Sequence, residues 1–191
     1  MTSPPILEWC EAANDAAFSA PADCAARASK FERRIKWRNV TEYLAGAVVI
    51  LLFSGTTIAA AYKGELLIAA SAGLIVMGCA VVLWQLAKRA SNLVRRPEDP
   101  CVIHLRRQYS RQYEALRSVP VWYLGPLIPG IVAFNLAITA RVADAIGWSA
   151  AIKGAAGTFA IVAGVFAAVA LLNLIGARHL KRKIDELDAQ I

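Results

Sequence analysis

Residues 119–140 read VPVWYLGPLIPGIVAFNLAITA. Three prolines and two glycines crowd residues 120–130, and then an apolar stretch runs on to Ala140 without a charged side chain. Two readings fit such a stretch: a broken helix lining a site, or the way in which one helix enters a membrane. The rest of the chain decides between them.

Three other stretches are equally free of Asp, Glu, His, Lys and Arg: Tyr43–Tyr62, Leu66–Ala87 and Gly154–Ala177. With Ser118–Ala140 they make four runs of 20 to 24 residues. At about 1.5 Å of rise per residue, each spans the roughly 30 Å hydrocarbon core of a bilayer. Hydrophobic residues make up 58% of the 191, and mean hydropathy is +0.48. A soluble domain holds about 45–50%, and one of this size has too little chain to wrap four such helices. The expected fold is all-α: an integral membrane four-helix bundle with amphipathic cytoplasmic helices. Its parts would be a basic N-terminal region (1–42), a first transmembrane hairpin (43–87), a basic connector (88–118), a second hairpin (119–177) and a C-terminal helix (178–191). Glu8, Glu11, Asp15 and Asp23 precede Arg27, the first base. That is the reverse of a secretory n-region, so the first span is expected to insert uncleaved.

Charge gives the orientation. Six of the 21 Lys and Arg lie in Arg27–Arg38, eight in Lys88–Arg117 and four in Arg178–Lys183. Those eighteen fall on one side of the spans, against Lys63, Arg141 and Lys153 on the other. The positive-inside rule then places both termini in the cytoplasm of a bacterial inner membrane, multi-pass. On that topology Cys10, Cys24 and Cys101 face a reducing compartment and Cys79 sits within the membrane, so no disulfide framework is expected. None of the four makes a CxxC pair.

The chain reads as helix from Pro21, and no Gly or Pro interrupts 22–45, so the first basic helix is expected to run straight into the first span. Arg38 and Glu42 form an i,i+4 opposite-charge pair on it, as do Glu32 and Lys36. The first outer loop is only Lys63-Gly64-Glu65, which demands a tight antiparallel hairpin. RRPEDP at 95–100 stops the helix after the second span. In the next segment Leu105, Tyr109, Tyr113 and Leu116 share one helical face and Arg107, Arg111 and Glu114 another, a pattern suited to lying at a membrane surface. Leu180, Ile184, Leu187 and Ile191 recur at helical spacing and read as an extension of the fourth span packed on the other cytoplasmic helices. The order basic helix, span, short loop, span occurs twice, which admits a duplicated hairpin.

The opening stretch now has an answer. Pro126 and Pro129 release the carbonyls of Trp122 and Gly125 one turn earlier. The topology sets both prolines in the cytoplasmic half of the span, with Trp122 and Tyr123 at the interface where aromatic belts occur. A kinked, aromatic-anchored way into the membrane is the leading reading; the alternative is a small-molecule or lipid crevice formed by the kink of this third span, as in a passive carrier or lipid-handling protein.

FERRIKWRNVTEYLAG at 31–46, taken with HLRRQYSRQYEALRSVPVWYLGPLIPG at 104–130, resembles a group of small proteobacterial multi-span inner-membrane proteins. The resemblance covers about residues 28–135. It implies a membrane protein of unassigned function, and since some members accompany extracytoplasmic-function sigma factors, a regulator of such a factor. The chain departs from the zinc type of anti-sigma factor, having no His-x-x-x-Cys-x-x-Cys and four spans rather than one.

No catalytic constellation stands out, so the protein is expected not to be an enzyme and to carry no cofactor or metal. Cys101 and His104 are two ligands at most, too few for a closed zinc site. Spans without ionisable groups argue against ion-coupled transport. Asn135 and Asn173 are the strongest polar groups in the spans, and each is expected to bond a neighbouring helix. Small residues at Gly55 and Ala59 in the first span and at Ala156, Ala160, Gly164 and Ala168 in the fourth mark expected packing seams, within the chain or, alternatively, in a homo-oligomer. Arg33, Arg34, Lys36, Trp37, Arg38, Arg107 and Arg111 are the expected contacts for a protein partner or the headgroups of an anionic inner leaflet. Nucleic acid is not an expected partner, because these bases alternate with membrane-facing aromatics.

Overall fold

A computed structural model of the chain describes residues 21–93 and 100–189, with side chains from Ala26 onward. The N-terminal apolar hook with Cys10, the Cys24 side chain, most of the 95–100 stop and Ile191 lie outside the described residues. Among the described residues the elements are helices: α1 (Pro21–Tyr62), α2 (Leu66–Arg89), α3 (Cys101–Arg117), a π-helical turn (Pro120–Leu124), a 3-10 turn (Gly125–Leu127), α4 (Ile128–Ile146) and α5 (Trp148–Asp188). Four stretches are long and apolar enough to cross a membrane: α1, α2, the kinked run Pro120–Ile146, and α5.

α1 and α5 are 42 and 41 residues long. At about 1.5 Å per residue each is twice the thickness of a hydrocarbon core. Each therefore continues unbroken from its apolar half into a basic half. The two joints at the opposite end are single-glycine devices. After α1, Glu65 N–H donates to Ala60 O (2.9 Å) and Gly64 N–H to Ala61 O (3.0 Å), with Gly64 at φ +75°. This is a Schellman cap, which closes the last carbonyls of the helix and needs a left-handed residue. Between α4 and α5 stands Gly147 alone, at φ +83° and ψ +154°. The second pair of spans thus has no loop: α4 carries Arg141 and Asp144, and α5 carries Lys153, within the helices themselves.

The spans pack as a row. α1 lies on α2, α2 on α4, and α4 on α5, while no comparable packing joins α1 to α5. The all-helical class and four membrane-length helices are as expected, and among the described residues their packing is sequential. α2 is the inner member, with Ile68, Ala72, Ile75, Cys79, Val82 and Leu86 buried. α5 is almost bare along its apolar half. Closure comes only at the basic end, where Leu105 and Tyr109 of α3 are buried with Ala28 of α1 and Leu180 of α5. Phe31, Ile184 and Leu187 flank that cluster, and Phe31 meets Tyr109 edge-on with centroids 4.7 Å apart. Leu105 and Tyr109 on the apolar face of α3 are thus covered by protein. The physical reason is that α1 and α5 both project past their apolar halves and offer it Ala28 and Leu180.

Candidate functional site

The proline segment bends because its backbone changes pitch twice. Trp122 N–H reaches Ser118 O (3.1 Å) within the wide π turn. The tight turn behind it is closed by Ile128 N–H on Gly125 O. Pro126 and Pro129 supply no donors there, and alternative pitches re-satisfy the backbone. The kink seats α2. A Cβ on Gly78 would overlap the Pro126 carbonyl oxygen, and one on Gly130 would stand 2.7 Å from Ile75 N. These two glycines face backbone, and Gly46 of α1 is as tightly packed against the Leu83 side chain of α2. The expected seams are not close-packed: Gly55, Ala59, Ala160, Gly164 and Ala168 are all exposed, and neither Gly55 nor Gly164 would bring an added Cβ within 4 Å of anything. Small size permits close approach but does not cause it, and here no neighbouring helix lies opposite.

Trp122 turns inward. It is buried with Leu86, Ala90 and Val119, and its Nε1–H donates to Ala115 O at 2.9 Å. Its place is therefore inside the fold and not in an aromatic belt. Tyr123 stands beside it, ring centroids 5.5 Å apart. Together they form part of the wall of a crevice of about 110 Å³ that also takes in Arg38 and Glu42 of α1, Leu86 of α2 and Asn173 of α5. Every helical element except the 3-10 turn and α4 contributes, so the crevice lies where the basic half of the molecule meets the apolar one.

Arg38 is held in place from behind. Its Nη2 donates to Gln112 Oε1 at 3.0 Å. Its Nε faces Glu42 Oε1 at 3.6 Å, beyond hydrogen-bond range, and is buried with no hydrogen-bond partner. The two side chains remain 33% and 28% exposed, so a ligand can reach both. Asn173 and Asn135 do not bond neighbouring helices as expected. Each donates Nδ2–H to the carbonyl four residues back on its own helix, Val169 and Ile131. An i−4 carbonyl is always within reach of such a side chain, whereas the row leaves few facing helices.

Beneath the crevice lies a polar seam between α3 and the end of α2. Gln112 Nε2 (3.1 Å) and Asn39 Nδ2 (2.9 Å) both donate to Ala90 O. Arg111 Nη2 donates to Lys88 O (2.7 Å) and Ser91 Oγ (3.1 Å). Gln108 donates to Asn92 Oδ1 (2.7 Å) and accepts from Leu93 N–H (2.9 Å). His104 Nε2 sits 3.0 Å from Glu32 Oε1. Carbonyls at a helix C-terminus lack intrahelical donors; here α3 and Asn39 supply donors to two of them, Lys88 O and Ala90 O. The signal was in the sequence: His104, Gln108 and Gln112, four apart, put a polar stripe beside Leu105 and Tyr109. At the far end of α3, Arg106 Nη2 lies 2.9 Å from Asp188 Oδ2, and this hydrogen bond holds the Asp188 carboxyl below its ordinary range.

The expected contact residues divide. Arg33, Arg34, Lys36, Trp37 and Arg107 are exposed, while Arg38 and Arg111 turn inward to the crevice and the seam. Among the described residues no three His, Cys, Asp or Glu side chains come together as a metal would require. Comparison with family models, with curated proteins and with solved structures yields no match to this chain.

Proposed function

We propose that this is a non-catalytic protein of the bacterial inner membrane, regulatory or accessory, with both termini cytoplasmic and its basic end presented to an acidic protein partner. One observation carries the reading. Arg33, Arg34, Lys36 and Trp37 stand exposed on α1, beside a head in which the apolar face of α3 is already covered. A helix that lies in a leaflet inserts its apolar face; that of α3 is engaged with α1 and α5. The exposed cations therefore rest on a folded platform, which suits a folded partner better than a lipid surface. The opposite end offers two glycine joints and little else. The family resemblance makes an extracytoplasmic-function sigma factor the first partner to test.

A photo-crosslinking residue in place of Trp37, activated in living cells, tests this. The expected product is a discrete protein adduct that disappears when Arg33, Arg34 and Lys36 are all changed to Glu, with membrane insertion unaltered. Lipid adducts alone, or a protein adduct indifferent to the charge reversal, would reject the reading.

A further inference from the structure

The crevice between Arg38, Glu42 and Asn173 has chemistry of its own, independent of any protein partner. It places one cation and one anion 3.6 Å apart without a hydrogen bond between them. The Arg38 guanidinium is braced by Gln112 and keeps a buried Nε–H without an acceptor. The guanidinium as a whole is still a third exposed, and its charge favours an incoming oxyanion on that side. Beside it, the Glu42 carboxylate repels a purely anionic ligand and favours one that brings an ammonium group. The wall completes the pattern with Leu86, Val169 and the ring of Trp122.

Position narrows the ligand further. The crevice sits where charged sequence gives way to apolar sequence: Glu42 immediately precedes the run from Tyr43, and Lys88 immediately follows the run ending at Ala87. Headgroups occupy that depth. Below it the apolar half of α5, which lends Val169 and Asn173 to the crevice, is almost bare, so an apolar surface lies open next to the site.

We propose that the crevice is a binding site for a phospholipid whose headgroup joins a phosphate to a primary ammonium, the phosphate on the exposed side of the Arg38 guanidinium and the ammonium on Glu42, with acyl chains running along the bare apolar half of α5. Tyr123 and Asn173, on opposing elements, border the headgroup.

The test uses the full chain, delipidated in detergent and titrated by native mass spectrometry. The probes are dioleoyl phosphatidylethanolamine, dioleoyl phosphatidylglycerol and soluble glycerophosphoethanolamine. Phosphatidylethanolamine should be retained about tenfold more tightly than phosphatidylglycerol, the factor expected for one charge-assisted hydrogen bond. Glu42→Gln should bring that ratio close to one without lowering the melting temperature. Should that variant not fold, the wild-type protein still decides: dioleoyl phosphatidylcholine, with the same charges but no ammonium N–H, should bind more weakly than phosphatidylethanolamine. Equal retention of all three lipids overturns the proposal. So does glycerophosphoethanolamine binding as tightly as the lipid, since the site would then serve a soluble zwitterion.

Discussion

At the scale of single residues, the glycines carry the geometry. Gly147 combines φ +83° with ψ +154°, a region that is essentially glycine's alone. Gly147→Ala should destabilise the protein by about 1–3 kcal/mol, read as a lower melting temperature in detergent. Gly78→Ala should act through packing: its new methyl meets the backbone of Pro126, and overpacking of this kind costs about 1–3 kcal/mol. Gly164→Ala is the control and should be neutral or slightly stabilising, since its methyl meets nothing. Equal losses from Gly78→Ala and Gly164→Ala would refute the assignment of packing faces. The small residues themselves were legible in the sequence; which of them face protein was not. In water, apolar periodicity points to the core. In lipid both surroundings are apolar, so Gly78 and Gly164 look alike until a neighbour is placed beside them.

At the scale of elements, α3 acts as a clamp on the end of α2. Gln108 and Gln112 are each 1% exposed, so their hydrogen bonds cannot be replaced by water. Replacing Gln108 with Leu strands Leu93 N–H and Asn92 Oδ1, at about 1–3 kcal/mol. Hydrogen exchange at the α2 C-terminus should quicken roughly 5- to 150-fold, as about 1–3 kcal/mol implies. Unchanged exchange there would mean that the seam does not hold the element. The sequence foretold the amphipathic pattern of α3 but not its covering. Leu105 and Tyr109 satisfy a membrane surface and a protein core equally well, and only the lengths of α1 and α5 beyond their apolar runs bring Ala28 and Leu180 into reach. The four spans were legible from composition alone because backbone without water must be helical. Their order of packing was not, since no side chain in those spans declares a partner.

For the whole molecule, the open row and the asymmetric charge make separate statements. Eighteen of 21 bases at one end predict that this end stays in the cytoplasm. A membrane-impermeant maleimide applied to intact spheroplasts should leave Cys101 unlabelled and should label a cysteine introduced in place of Lys63; rapid labelling of Cys101 would invert the topology. The row also means that stability depends on the surrounding lipid more than in a closed bundle, because α5 contributes little of its apolar half to protein contacts.

The single-glycine joints have a consequence for how the chain is made. Gly64 and Gly147 close both hairpins with almost no polypeptide between the helices. On the topology that the charges predict, biogenesis carries Lys63, Glu65, Arg141, Asp144 and Lys153 across the bilayer, a nearly neutral handful of side chains. Each hairpin can enter as one folded unit, with its hydrogen bonds made. Among the described residues these two joints offer a protease or an antibody no long loop to grip, so a probe of that face would need a tag placed at Gly64 or Gly147.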